Sequence, residues 1–182
     1  MGNLAVALDI VGNILRREGS RFTDHPKDRG GPTRWGVTID PMVEYRRDVG
    51  GYIPRTYDER RETIRLLTKV EARTIYERLY IEKPRFGEVK HPELQALLID
   101  TGVLHGRARA ARWLQSVVGV KQDGHVGPIT LGVVNGRHWR DTYKELLTRR
   151  YLGFVTFVKR RPDQLVWLRG WTNRANEFLL RL

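Results

Sequence analysis

The chain has 182 residues, of which 40% are hydrophobic and 30% charged, a balance that fits a soluble globular chain of one domain or two small lobes. It contains no cysteine, which excludes disulfide bridges and thiolate metal sites. The formal net charge of +12 indicates an anionic partner, and both a nucleic acid and the polymers and lipid headgroups of a bacterial envelope meet that description.

The first predicted element is an amphipathic helix, because apolar residues recur at helical spacing over residues 4–15. Gly19 is the predicted C-terminal stop, directly after Glu18. This segment lacks the basic start and the small-residue cleavage site of a signal peptide, and no stretch of the sequence is long enough to cross a bilayer. We therefore expect synthesis in the cytoplasm without a signal peptide.

Loops and helices alternate along the rest of the chain. A loop rich in glycine and proline is predicted over residues 20–32, a short strand over residues 35–39 and a second loop over residues 46–57. Helical patterns resume at Asp58, and Thr68 followed by Glu71 fits a capping box. Further helices are predicted over residues 92–101, 108–118, 130–134, 139–158 and 162–182. The predicted fold is mainly α, with at most a small β-hairpin near the first loop.

Residues 18–36 carry the candidate chemistry, because they place Glu18 at a helix end and Asp24 and Asp28 on the loop that follows. Glycosidic bonds are cut by paired carboxylates: one protonates the leaving oxygen, and the other activates water or attacks the sugar. A helix C-terminus carries partial negative charge and disfavours an anion, so the position of Glu18 suits the proton donor. Arg16 and Arg17 oppose this effect if they lie close.

Each of these residues also has an ordinary structural interpretation. The charge pattern alone favours a solvated glutamate that ends a surface helix for Glu18, and Asp24 and Asp28 fit turn residues that bond their own backbone. The hydroxyl of Thr33 either holds a water or begins a strand. Trp35 either stacks on a sugar ring or packs in the core. The five histidines include no pair at metal-ligand spacing, so neither a metal site nor a cofactor is expected.

The same stretch resembles the signature of glycoside hydrolase family 108, the phage and bacterial N-acetylmuramidases. That motif reads roughly Glu-Gly-Gly, a short spacer, then Asp-Pro-x-Asp-x-Gly-Gly-x-Thr-x-x-Gly. The positions that match in register are Glu18, Gly19, Pro26, Asp28, Gly30, Gly31, Thr33 and Gly36. Ser20 replaces the second glycine, and Asp24 stands one residue too early to precede Pro26 directly.

The resemblance extends through residues 75–80 and 83–86 to Asp-Thr-Gly-Val-Leu-His-Gly at 100–106, although Leu104 stands where the family often has asparagine. Behind it the chain is similar to a predicted peptidoglycan-binding region, most clearly at residues 111–115, 123–128 and 169–174. The domain prediction is a muramidase region over residues 1–90 and a helical peptidoglycan-binding-like region over residues 91–182, packed against it as one compact unit.

The resemblance implies a lysozyme-like fold of two lobes with a cleft, and an enzyme that hydrolyses the bond between N-acetylmuramic acid and N-acetylglucosamine. The residues to which it assigns catalysis are Glu18, Asp28 and Thr33. The residues that we expect to bind substrate are Asp24, Trp35, Asp100 and His105, the last as a replacement for the missing asparagine. The implied biology is an endolysin, a monomer held on the anionic envelope, which reaches peptidoglycan in the host periplasm after the membrane has been permeabilised.

Three other classes of protein stay open. A silent peptidoglycan-binding module would bind wall material without cutting it. A lytic transglycosylase would use one acidic residue and no water. A nucleic-acid binder is indicated by charge alone, since the sequence has no zinc-finger pattern, no aromatic RNA-binding motif and no basic recognition helix. We therefore expect no nucleic-acid partner.

Overall fold

The computed structural model describes residues 2–24 and 31–181, with side chains from Asp9 onward. This part of the chain is helical and contains no β-sheet, which confirms the mainly α, lysozyme-like prediction. Its α-helices are α1 (Gly2–Glu18), α2 (Ile39–Asp48), α3 (Tyr57–Leu66), α4 (Lys69–Tyr76), α5 (Pro92–His105), α6 (Arg107–Val118), α7 (Pro128–Gly136), α8 (Trp139–Arg160) and α9 (Leu168–Leu179). A π-helical segment (Glu77–Glu82) extends α4, and short 3-10 helices occupy Phe86–Glu88 and Pro162–Trp167. None of the described helices has both the length and the apolar character needed to cross a membrane.

The chain divides into two compact units, which we call the N-terminal unit (Leu8–Lys83) and the C-terminal unit (Pro84–Leu182 with Met1–Ala7). The N-terminal unit has its own apolar core. The side chains that form it are Ile10, Val11, Ile14, Leu15, Val37, Met42, Ile64, Leu67, Ala72, Ile75, Tyr76, Leu79 and Ile81. The boundary that we predicted at residue 90, and the close packing of the two regions, stay predictions.

Capping explains where two helices of the N-terminal unit begin. The Thr68 hydroxyl accepts a hydrogen bond from the Glu71 amide, and the Glu71 carboxylate accepts one from the Thr68 amide, so the predicted capping box is confirmed. Thr56 and Glu59 form a second box at the start of α3. A box of this kind satisfies two of the backbone N–H groups that a helix leaves unpaired at its N-terminus.

Helix α2 was not predicted: the sequence placed a strand over residues 35–39 and a loop over residues 46–57, and it assigned nothing between them. The helix takes up residues 39–48 instead, so the strand and the start of the loop were predicted wrongly. Thr38 is the N-cap, so Pro41 falls in the first helical turn, where its missing N–H breaks no hydrogen bond. Met42 then buries its side chain in the core. Between α1 and α2 the described residues form isolated bridges, one between Thr23 and Thr33 and one between Arg34 and Val37.

The C-terminal unit is built around α5, whose residues 94–102 are all buried. Such a helix is surrounded by other elements, and α5 packs against both α6 and α8. The loop after α6 is held from inside by the Gln115 amide. Its nitrogen donates to the Asp123 carboxylate at 2.8 Å, and its oxygen accepts from the Gly124 amide at 2.8 Å. The Asp123–Gly124 turn thus has a structural role, because both of its residues are hydrogen-bonded to Gln115.

Candidate active site

Glu18 is the last residue of α1, and its side chain is exposed. The helix reaches this point because Ile14 and Leu15 are fully buried in the preceding turn. It stops there because Gly19 takes a left-handed conformation (φ +71°), while its amide still donates to the Leu15 carbonyl at 3.0 Å. The predicted helix end and glycine stop are confirmed, and they leave the carboxylate at the junction between a rigid helix and the loop.

Gly36, at the far end of the motif, lies directly against Glu18. A Cβ added to Gly36 would stand 2.7 Å from Cγ and 3.0 Å from Cδ of Glu18, and 2.5 Å from the Tyr76 hydroxyl. The backbone there is also left-handed, with φ at +73°. A side chain at position 36 would therefore displace the candidate acid, so this position requires glycine on two counts.

The backbone between these two residues is closed by short-range hydrogen bonds. The Thr23 and Thr33 amides each donate to the other's carbonyl, at 2.9 and 2.8 Å, and Arg34 and Val37 are paired in the same way. The Thr33 hydroxyl donates to the Val37 carbonyl at 3.2 Å. The hydroxyl proton of Thr33 is thus engaged within the loop. The hydroxyl oxygen can still accept a hydrogen bond from a water.

Asp24 is anchored from outside the loop. Its Oδ2 forms an ion pair with Nε of Arg61, and its Oδ1 accepts a hydrogen bond from the Tyr57 hydroxyl at 3.4 Å. The hydrogen bond to Asp24 raises the pKa of the Arg61 guanidinium above its ordinary value. Both partners belong to α3, and no feature of the sequence indicates that they pair with Asp24. Whether the carboxylate also binds substrate stays a prediction.

Asp28 lies outside the described residues, as do His25, Pro26 and Gly30 of the motif. The segment that holds them runs between the bridged residues Thr23 and Thr33. The assignment of Asp28 as second catalytic group stays a prediction.

Trp35 is partly buried and, unusually for a residue with a side chain, has a left-handed backbone (φ +55°). The Lys69 ammonium lies 5.9 Å from its ring centroid. The indole Nε1 is buried and has no hydrogen-bond partner among the described residues. Backbone strain of this kind concentrates at functional sites. Sugar stacking and core packing both stay predictions for Trp35.

Asp100 is buried in the C-terminal unit, where it accepts hydrogen bonds from two arginines. Arg150 donates to Oδ2 at 2.6 Å, and Arg174 donates from Nη2 to Oδ1 at 2.8 Å. Burial acts to raise the pKa of Asp100, but the two guanidinium charges outweigh it and hold the pKa below its ordinary value. The side chain is only 1% exposed, so the expected contact with substrate finds no accessible carboxylate oxygen in this structure.

His105 closes α5 and packs among aromatic rings. Its centroid is 4.9 Å from that of Trp113 and 5.1 Å from that of Phe154. Burial, and secondarily the charges of Arg150 and Arg109, lower the pKa of His105 to about 3. A neutral ring buried among aromatic groups has the character of a packing residue, and its expected contact with substrate stays a prediction.

The fold is helical and presents a glutamate at a helix end, beside a loop that has a glycine at each end. This is the arrangement of a lysozyme-like glycosidase. Residues 11–106 match the family profile described as "Glycosyl hydrolase 108", and the chain belongs to this family. The chain is therefore a glycoside hydrolase of the N-acetylmuramidase class. Residues 109–176 match a second profile, described as "Predicted Peptidoglycan domain", which marks peptidoglycan as the substrate.

Among solved structures, the chain is similar to the one described as "Structure of Brucella abortus SagA". The two share 28% sequence identity with a TM-score of 0.77, over 97% of this chain and 92% of that one. No protein with a curated description matches the sequence.

Proposed function

We propose that this enzyme hydrolyses the β-1,4 bond between N-acetylmuramic acid and N-acetylglucosamine, with Glu18 protonating the leaving oxygen. The observation that carries this proposal is the contact of Gly36 with the Glu18 side chain. Two residues that the family motif spaces eighteen positions apart meet at one point, and the glycine serves the carboxylate by leaving it room. The Tyr76 hydroxyl lies against the same glycine, so the space beside Gly36 brings the two polar groups to one place.

Asp28, with Thr33, is the proposed second group, as water activator or electrostatic partner. Support comes from the family motif, which both residues match. Asp24 is the weaker alternative, because Arg61 already occupies one of its carboxylate oxygens.

The role of Glu18 is tested by comparing Glu18→Gln with Glu62→Gln on purified sacculi. Glu62 is an exposed glutamate that pairs with Arg65 on α3, so its change has the same chemistry at a residue to which no catalytic role is assigned. General acid catalysis contributes a factor of about 100 to 10,000, so Glu18→Gln should lower the rate of sacculus cleavage by at least about 100-fold. Glu62→Gln should leave it unchanged. A Glu18→Gln variant that folds normally and cleaves at the parental rate would remove Glu18 from the mechanism.

The proposed biology is that of an endolysin, which is made in the host cytoplasm and acts on the wall once the membrane is permeabilised. The net charge of +12 supports retention on an anionic envelope. Expression in a Gram-negative host should leave cells intact until a membrane-permeabilising agent is added, and should then lyse them, with Glu18→Gln as the inactive control. Lysis by the active protein without the agent would contradict this route to the wall.

A further inference from the structure

A groove of about 250 Å³ runs along α6 and α8 in the C-terminal unit, and we call it the arginine groove. Its lining residues are Arg109, Trp113, Arg149, Leu152, Gly153, Thr156, Phe157 and Arg160. Those on α8 follow one another at alternating spacings of three residues and one residue, so they share one face of the helix. The lining includes three arginines and no acidic residue.

The arginines of the groove are not neutralised by the described part of the chain. Arg109, Arg149 and Arg160 are exposed, and no hydrogen bond or ion pair joins them to a described residue. Neighbouring arginines behave differently: Arg150 is paired with Asp100, and Arg161 with Asp163. Three positive charges gathered around one small volume favour an anion there.

The floor of the groove is apolar and fixed in place. A Cβ on Gly153 would stand 2.8 Å from Cζ2 of Trp113, so the bare glycine is what lets the indole lie against α8. The ring of His105 packs against the same indole, and Phe157 adds a second ring, itself packed edge-on against Trp171 at 5.5 Å. The groove thus offers a rigid aromatic surface flanked by guanidinium groups.

We propose that the arginine groove binds the free carboxylates of peptidoglycan stem peptides. A guanidinium group presents parallel N–H donors that match the two oxygens of a carboxylate. Stem peptides combine such carboxylates with small apolar side chains, which fit the aromatic floor. Every lining residue lies within residues 109–176, the stretch that matches the peptidoglycan domain profile. This inference rests on the proposed function in one respect, since it takes peptidoglycan as the substrate.

The test is a sedimentation assay on purified sacculi, with all proteins carrying Glu18→Gln so that nothing is cleaved. The groove variant is Arg149→Gln with Arg160→Gln. The matched control is Arg112→Gln with Arg169→Gln, which removes the same charge from exposed positions of the same unit outside the groove. Each protein is measured on intact sacculi, on glycan from which an amidase has removed the stem peptides, and on phosphatidylglycerol vesicles.

The groove variant should bind intact sacculi at least about tenfold more weakly than its parent, because two charge-assisted contacts are lost. The control should bind like the parent, and all three proteins should bind stripped glycan equally. Arg149→Gln alone should show a smaller loss of binding to intact sacculi. This single variant replaces the double variant in the test if the double variant does not fold.

Unchanged binding of the groove variant to intact sacculi would overturn the proposal, and so would an equal loss on stripped glycan. A loss confined to phosphatidylglycerol vesicles would do so as well, because it would assign the groove to lipid phosphate. Binding and cleavage are read separately. If the active protein releases no new glycan ends while the groove variant still loses sacculus binding, the proposed hydrolysis fails and this inference stands.

Discussion

Position 36 imposes two requirements, one on backbone conformation and one on space, and glycine is the amino acid that meets both. Its φ of +73° costs a residue with a Cβ about 1–2 kcal/mol. In addition, a Cβ would collide with Glu18 and with the Tyr76 hydroxyl. Nothing in the spacing of Tyr76 along the sequence indicates that its hydroxyl reaches the site.

Gly36→Ala should therefore lower both stability and activity. Gly50→Ala is the matched control, because Gly50 has a φ of +69° and nothing within 4 Å of an added Cβ. Both changes should lower the free energy of unfolding in urea by at least about 1 kcal/mol from the backbone alone. Gly36→Ala should lower it further and should also reduce the rate of sacculus cleavage, measured where both variants are folded. Equal activity of the two variants would show that the space at Gly36 does not serve Glu18.

Three helices of the C-terminal unit are joined by one buried carboxylate. Asp100 lies on α5, Arg150 on α8 and Arg174 on α9. Nε and Nη1 of Arg150 are buried without a hydrogen-bond partner among the described residues, so Asp100 is the contact that keeps this charge tolerable. Loss of one member of such a pair leaves an uncompensated charge in the interior.

Asp100→Asn should lower the free energy of unfolding by about 3–5 kcal/mol. Asp163→Asn is the control, because the Asp163–Arg161 pair is exposed and its loss should have no measurable effect. Chemical unfolding of the two variants decides the point. If Asp100→Asn were as stable as the parent but bound sacculi more weakly, Asp100 would be a substrate-binding residue after all.

Helix α9 docks on α8 as a terminal helix rather than extending as a separate amphipathic element. The Tyr143 hydroxyl donates to the Phe178 carbonyl at 2.6 Å, and the Tyr151 hydroxyl donates to Asn176 at 2.5 Å. Ala175 and Phe178 are buried. The apolar stripe that the sequence shows along this helix is thus used largely within the chain.

Most of the helices follow from the periodicity of their apolar residues. The capping box at Thr68 could be predicted from two residue types at the required spacing. Helix α2 was missed because Gly36 and Pro41 are loop residues in most contexts, whereas here both sit at the helix entrance. Glu18 and Gly36 could be matched to a motif, but their contact depends on backbone angles that no spacing encodes. The pairing of Asp100 could not be predicted, because the sequence does not show that Arg150 and Arg174 converge on it.

Acid should destabilise the whole molecule before the carboxylates titrate. With a pKa of about 3, His105 stays neutral in the folded protein between about pH 6.5 and pH 3, while the unfolded chain takes up a proton there. Burial lowers the pKa of His91 in the same direction. The unfolded state therefore binds more protons in this window, so the free energy of unfolding falls as the pH falls. Below about pH 3.8 the lowered pKa of Asp100 adds to the loss.

His105→Gln tests this dependence, because it removes the titrating group and keeps a polar side chain. Urea unfolding between pH 7 and pH 4 should show a shallower fall in stability for the variant, by up to about 1.4 kcal/mol per pH unit. Identical slopes for variant and parent would show that His105 takes up its proton in the folded protein.

The central claim concerns which bond the enzyme breaks, and the chemistry of the new chain ends answers it most directly. Sacculi digested by the parent protein and by Glu18→Gln are reduced with borohydride and analysed by mass spectrometry. The account predicts new N-acetylmuramitol ends from the parent alone. N-acetylglucosaminitol ends would place the cut at the other glycosidic bond, 1,6-anhydro ends would identify a transglycosylase, and unchanged sacculi a binding protein; each result would contradict a muramidase that depends on Glu18.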